Sequence, residues 1–276
     1  MSRVPPAAAA LPVAGRSRAA IGLASGFGAV AFGWPFFVAP GRLGESLVPP
    51  LMFGALLLLV LAVVLSELAD GGMDSKAVAL LGVLAAVGAA LRPLGAGTAG
   101  IETVFFLMIV AGRVFGPGFG FALGSVTIFT SALLTGGVGP WMPYQMFASA
   151  WVGMGAGLLP RVPPRWERVL LAGYGVVSGY AYGLAVNLSF WPFALDPHSS
   201  IAYLPGASLL ANLRRYVVFD ATTSLGWDTG RAVTDVVALL TLGPVLLAAF
   251  RRASRRAAFD APVSFEDPGP AGQPAA

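Results

Sequence analysis

Three aspartates, Asp220, Asp228 and Asp235, stand in the stretch DATTSLGWDTGRAVTD at intervals of eight and seven residues. Carboxylates in such a run could hold a divalent metal against a diphosphate, as a membrane-embedded metal-dependent transferase would. That chemistry needs compact acidic pairs on one helical face and a second acidic cluster. No compact D-x-x-x-D pair on one helical face occurs in that stretch. Zero Cys and one His, His198 in DPHSS, remove thiol ligands, disulfides and a Cys nucleophile, and leave no His for a Ser/His dyad in the apolar segments. Among 36 glycines no G-x-x-x-x-G-K-[ST] occurs, so the chain carries no P-loop. GRVFGPGFG, residues 112 to 120, lacks Lys and reads as a tight turn between two helices.

With catalysis poorly stocked, the remaining polar residues point to binding without chemistry, with no cofactor and no metal. A binding site places a few polar groups among aromatic and aliphatic walls. Such a set gathers at the ends of the apolar runs: Arg92 and Glu102, then Trp141, Tyr144 and Gln145, then Asn187 and Trp191, then Trp227, Asp228 and Arg231. A charge this close to a spanning segment is costly unless it is paired or faces a wet cavity. Arg92 with Glu102, and Asp228 with Arg231 at i and i+3, are the pairs available on sequence alone; Trp141 and Trp191 could equally serve as aromatic anchors. In GGVGPWMPYQM, residues 136 to 146, Pro140 and Pro143 suit a loop entering the first turn of a helix. Trp141 and Tyr144, three apart, then share a face beside Gln145.

The elements that position these residues are membrane helices. Hydrophobic residues make up 57% of the 276 and charged residues only 11%, far below the roughly 25% charge of soluble domains. Eight segments approach the length of about 20 residues that a span needs: Ala19 to Ala39, Pro50 to Ala69, Lys76 to Leu91, Ile101 to Phe115, Phe119 to Thr135, Met142 to Leu159, Arg168 to Phe190 and Ala232 to Phe250. The first is read as a retained span rather than a cleaved signal, because it is longer than a signal's apolar core. RPLGAGTAG separates the third span from the fourth.

With the N-terminus inside, Arg3, Arg16, Arg18, Lys76, Arg113, Arg161, Arg165, Arg168, Arg251, Arg252, Arg255 and Arg256 fall in the cytoplasm, twelve of the 17 basic residues. Arg42, Arg92, Arg214, Arg215 and Arg231 fall outside. This bias predicts an even number of spans in the cell membrane and both termini cytoplasmic. It also makes RVPPRWER a cytoplasmic topology anchor, and residues 191 to 231 an external loop that acts as a lid and contains an interfacial helix within ASLLANLRRYVVFDATTSL. In KAVALLGVLAAVGAALRPL, Gly82, Ala86 and Ala90 recur every four residues, with Ala85 and Ala89 alongside. Small residues at this spacing let another helix approach closely, whether a partner's or one of the chain's own.

From Lys76 to Arg256 the chain resembles the substrate-binding S components of energy-coupling factor (ECF) vitamin transporters. The likeness rests on the small-residue helix bearing Gly82 and Ala86, on FFLMIVAGRVFGPGFGFALGSVTIFTSALL, on GPWMPYQMFASAWVGMGAGLLP and on SLGWDTGRAVTDVVALL. The third resembles the G-P-W-T-P-(W/Y)-Q-M signature of the cobalamin-linked subfamily, with Met142 where that pattern has Thr. The resemblance implies an all-α integral membrane protein, a six-helix S-component bundle over 76–256. Here it is preceded by two additional transmembrane helices in 19–75, which have no family role, by a cytoplasmic segment 1–18, and followed by a disordered tail 257–276.

It further implies that the bundle binds a vitamin-like solute, a corrinoid favoured, on the external side. The face bearing Gly82, Ala86 and Ala90 would then dock on a membrane-embedded coupling subunit driven by two ATPase subunits, and the bundle would reorient in the membrane. Nucleic acid has no place in this reading. The alternatives are an autonomous secondary transporter, a metal-dependent transferase built on Asp220, Asp228 and Asp235, and a structural or assembly protein.

Overall fold

A computed structural model of the chain describes residues 15–36, 48–69, 73, 75–95, 98–196 and 198–257. The expectations for residues 1–14, for Arg42 and for the tail 258–276 lie outside the described residues. Among the described residues the chain is entirely helical: α1 (Gly15–Phe32), α2 (Val48–Ala69), α3 (Ser75–Gly95), α4 (Phe105–Phe115), α5 (Pro117–Thr135), α6 (Met142–Leu158), α7 (Pro164–Ala194), α8 (Leu209–Thr223), α9 (Leu225–Thr241) and α10 (Gly243–Ala257). In hydrocarbon each backbone N–H and C=O must be satisfied within the segment, so apolar runs of this kind settle as helices. Prolines open α5, α6 and α7 in their first turns, where a missing N–H costs nothing.

By length and composition α3, α5 and α7 can each cross a membrane, and α9 with α10 make a fourth candidate as a bent pair. These are the candidates among the described residues; the eight segments expected from hydropathy include residues outside them. Among the residues whose side chains are described, α1, α2 and α4 show shorter apolar stretches, although helix α2 itself runs for 22 residues, Val48–Ala69. In α4 only 11 residues are helical, and Phe105 to Gly112 are all buried, so it is wrapped by its neighbours and forms the centre of the bundle. The expected single span from Ala232 to Phe250 is broken: α9 and α10 meet at 63°. Pro244, at the start of α10, cannot continue the hydrogen bonds of α9. Helix α10 then buries Leu247 and Phe250 and exposes Arg252 and Arg255, the pattern of a helix lying in an interface.

Glycines let the central helices approach to backbone contact. A Cβ on Gly112 or Gly120 would strike the carbonyl of Gly153, and one on Gly124 would strike that of Ser149. Packing of small residues is what holds helices together where lipid offers no hydrophobic drive. Between α4 and α5 the chain reverses at Gly116, whose φ of 104° suits glycine, so GRVFGPGFG does form a tight turn.

The two additional helices are fastened to the bundle, α1 on α2, α6 and α7, and α2 on α5 and α6. On α1, Ser25 Oγ accepts from Trp151 Nε1 at 3.1 Å and Phe32 meets the ring of Tyr144 edge-on at 5.0 Å. A 3-10 turn, Trp34–Phe36, follows α1, and Trp34 stacks on Phe193 of α7 at 5.7 Å.

At 31 residues, α7 is about 46 Å long, more than the roughly 30 Å hydrocarbon core requires. Its last turns are packed by α8 and by the 3-10 turn, Trp191 lying among Tyr216 and Phe219 and Phe193 on Trp34. The region 191–231 is not the forty-residue loop expected from sequence, because α7 runs on to Ala194 and α8 and α9 fill most of the rest. Helix α8 lies within the stretch expected to be helical, and the irregular remainder is pinned to it. Asn212 accepts from Leu204 N and donates to Leu204 O, both at 3.0 Å, while Arg215 donates to Ser200 O at 2.8 Å.

Candidate functional site

One end of the bundle is formed by the C-terminus of α3, the N-termini of α4, α6 and α9, and the C-terminal end of α7, with α8 across it. These elements line a half-open cavity of ≈ 490 Å³. Seven of the residues expected from sequence line it: Arg92, Glu102, Gln145, Asn187, Trp227, Asp228 and Arg231.

Arg231 is the best-held group. Its guanidinium donates to Glu102 Oε1 at 2.8 Å, to Asp228 Oδ1 at 2.5 Å and to Gly179 O at 3.0 Å. It lies over the Tyr182 ring, 4.8 Å from the centroid, and 5.6 Å from that of Phe105. Charge-assisted hydrogen bonds donated to two carboxylates, together with two aromatic faces, fix its orientation. The Arg231 and Asp228 side chains are buried, whereas that of Glu102 is 32% exposed. Asp228 fits because Gly183 opposite has no side chain; a Cβ there would strike both carboxylate oxygens.

The Arg92–Glu102 pairing available on sequence does not form. Arg92 donates instead to Gln145 Oε1 at 2.9 Å and, at 3.5 Å, to Ser131 Oγ, while Glu102 turns to Arg231 on α9. The i, i+3 pair of Asp228 and Arg231 does form. On α7, Asn187 donates to Asp220 Oδ1 at 2.7 Å and to Ser224 Oγ, which ties α7 to α8 and to the start of α9. Half-exposed Phe190 and Trp227, with Phe219 and Tyr182, supply the aromatic walls.

Three expected residues lie away from the cavity lining. Trp141 is 49% exposed on the rim, and the ring packs over Gly139. Tyr144 does not share its face. It is buried against Phe32 of α1, a helix whose position no local pattern around residue 144 reveals. Trp191 is fully buried beneath the site, donating to Ile201 O at 2.9 Å, with Tyr203 and Tyr216 at 5.5 and 5.2 Å. It supports the cavity through Phe219, 6.4 Å away, which reaches the lining. In this cluster burial pushes the Tyr203 phenol up from its ordinary value.

Sequence reasoning missed Tyr182, Gly183, Val186, Phe190, Phe219, Thr223 and Ser224, all in the lining. Residues 182, 186 and 190 recur every four on α7 and all lie within the expected span from Arg168 to Phe190, so the stripe was legible in the sequence.

On α3, Gly82, Ala86 and Ala90 face outward, while Ala85 and Ala89 pack inward. A Cβ on Gly82 would meet nothing within 4 Å. The three aspartates do not converge: Asp220 is held by Asn187 and Asp228 by Arg231, while both Asp235 oxygens are buried without a hydrogen-bond partner.

At the opposite end of the same helices, buried Glu167 accepts from Arg113 Nε at 2.9 Å and from Arg251 at 2.6 Å. Arg113 also donates to Leu159 O at 2.9 Å, so α4, α6, α7 and α10 are tied there. Around this cluster Arg161, Arg165, Arg168, Arg252 and Arg255 are exposed. RVPPRWER therefore carries a structural clasp as well as surface charge.

Compared with protein-family models, residues 76–219 match the family described as "ECF transporter, substrate-specific component". The match runs from the start of α3 into α8, ending within that helix and short of α9, which supplies Trp227, Asp228 and Arg231. No curated protein and no solved structure matches the chain.

Proposed function

The chain belongs to the substrate-specific components of ECF transporters, matched over more than half of its length, and on that premise we propose that its cavity holds a vitamin-like solute for delivery across the membrane. It is a multi-pass membrane transport protein, and its family works with coupling and ATPase subunits rather than hydrolysing ATP itself. The observation that carries the solute reading is the convergence of Arg92, Glu102, Gln145, Asn187, Trp227, Asp228 and Arg231 around ≈ 490 Å³ at one end of the bundle.

The basic residues support an external cavity. The exposed arginines around Glu167 lie at the far ends of α4, α6 and α7, and an excess of Arg and Lys marks the cytoplasmic side. Both termini would then be cytoplasmic.

The mechanism is binding without a covalent step. A solute enters between α7, α8 and the start of α9, its flat or apolar part against Phe190 and Trp227 and its polar groups on the fixed amide and charged side chains. Helix α8 and the segment 195–208 act as the cover. The outward stripe of Gly82, Ala86 and Ala90 then docks on the coupling subunit, which is driven by two ATPase subunits, and the bundle reorients with its cargo. Helices α1 and α2 support this arrangement, since they pack on α5, α6 and α7 and the stripe on α3 stays exposed.

A cavity of this size accommodates a drug-sized solute. The corrinoid reading is favoured by GPWMPYQM; a ring system that large needs the rim to widen. Saturable binding of a corrinoid by the purified chain tests that reading directly.

Gly82→Leu or Ala86→Leu is expected to impair uptake in cells carrying the ATPase module while solute binding by the solitary chain is intact. Equal loss of both activities would mean that the stripe serves internal packing. Gradient-driven accumulation by the chain alone in liposomes would replace this reading with that of an autonomous carrier.

A further inference from the structure

The two guanidinium groups that line the cavity are not alike. Arg231 is neutralised in place by Glu102 at 2.8 Å and Asp228 at 2.5 Å and covered by Tyr182. Arg92 has no carboxylate partner among the described residues; its contacts are the neutral Gln145 Oε1 and Ser131 Oγ. A half-buried cation at a membrane helix end is costly unless something anionic or wet faces it. Two neutral acceptors orient the guanidinium without cancelling its charge. A planar fork held in this way is suited to bidentate contact with an oxyanion.

We propose that the solute carries an anionic oxyacid group, carboxylate or phosphate, and that Arg92 is the residue that seats it. This rests on the reading of the cavity as a solute site and adds the charge class of the solute. The trio of Glu102, Asp228 and Arg231 carries one excess negative charge, reaching the cavity at the partly exposed Glu102. The same solute therefore presents its anion to Arg92 and its hydrogen-bond donors to Glu102, with its apolar part toward Trp227 and Phe190. Gln145 acts as a positioning residue: its amide oxygen holds the fork, which accounts for a Gln at the mouth of α6.

The test uses the full chain purified in detergent, with Arg92→Gln and Arg92→Lys beside it and thermal unfolding to confirm that each is folded. Bound solute is extracted and identified by mass spectrometry. Affinity is then measured for matched probes, pantothenate against panthenol, biotin against its methyl ester, and pyridoxal phosphate against pyridoxal, together with whatever was extracted.

The expected result is an acidic solute, the charged member of a pair preferred over its neutral partner, and a loss of about 10- to 100-fold in Arg92→Gln, the worth of a charge-assisted contact. Arg92→Lys should retain part of it, and the carboxylate and phosphate arms tell the two anions apart. A solute without an anionic oxyacid group, or acid binding unchanged in folded Arg92→Gln, would overturn the proposal and leave the binding reading standing. No saturable solute of any charge would overturn that reading and this proposal with it.

Discussion

Gly183→Ala adds one methyl group where the chain has no room for it. The new Cβ would meet both carboxylate oxygens of Asp228, so the carboxylate must turn away and lose its 2.5 Å contact with Arg231. A charge-assisted hydrogen bond between buried groups contributes about 1.5–3 kcal/mol. At about 2–4 °C per kcal/mol for a chain of this size, the melting point should fall by about 3–12 °C.

The same methyl group has the opposite sign once Asp228 is gone. In an Asp228→Ala background nothing charged is displaced, and Gly to Ala within a helix gains about 0.5–1 kcal/mol. The assay is a double-mutant cycle on thermal unfolding in one detergent, with Gly183→Ala, Asp228→Ala and the pair. The structure requires strong non-additivity, the methyl destabilising in the presence of Asp228 and neutral or stabilising in its absence. Equal effects in the two backgrounds would refute the close approach of α7 to α9 on which the shape of the cavity depends.

Trp191→Ala should cost about 3–5 kcal/mol, since a fully buried ring is removed; faster proteolysis within 195–208 at unchanged solute stoichiometry would mark its supporting role. Glu167→Gln leaves Arg113 and Arg251 facing one another without their shared carboxylate, and about 3–5 kcal/mol of stability should be lost in thermal unfolding. Asp235→Asn should be tolerated or raise the melting point, because both oxygens of that carboxyl are buried without a hydrogen-bond partner. A large fall there would show that the carboxyl serves a contact or ligand of its own.

Some of the fold and the site was legible because the physics involved is local. Apolar runs, prolines at helix starts and the small-residue repeat at Gly82, Ala86 and Ala90 are read within one helix, and so is the Asp228–Arg231 pair. What escaped depends on contacts distant in sequence. Glu102 pairs with a guanidinium 129 residues away, although Arg92 lies only ten residues before it. Tyr144 turns inward because Phe32 of an additional N-terminal helix packs on it. The continuation of α7 to Ala194 was hidden by Pro192, which ordinarily argues for a helix end but lies within α7 near its last turn. That continuation carries Trp191 into the cluster below the cavity and Ala194 to its lining.

The central claim is that the cavity at one end of this bundle is a solute site. Equilibrium binding of the co-purifying small molecule, followed by mass spectrometry on the full chain and on Asn187→Leu and Trp227→Ala, tests it most directly. The account predicts one saturable site per chain, weakened at least tenfold in both variants while each stays folded. A chain that binds no solute, or binds one with undiminished affinity in both variants, would contradict it.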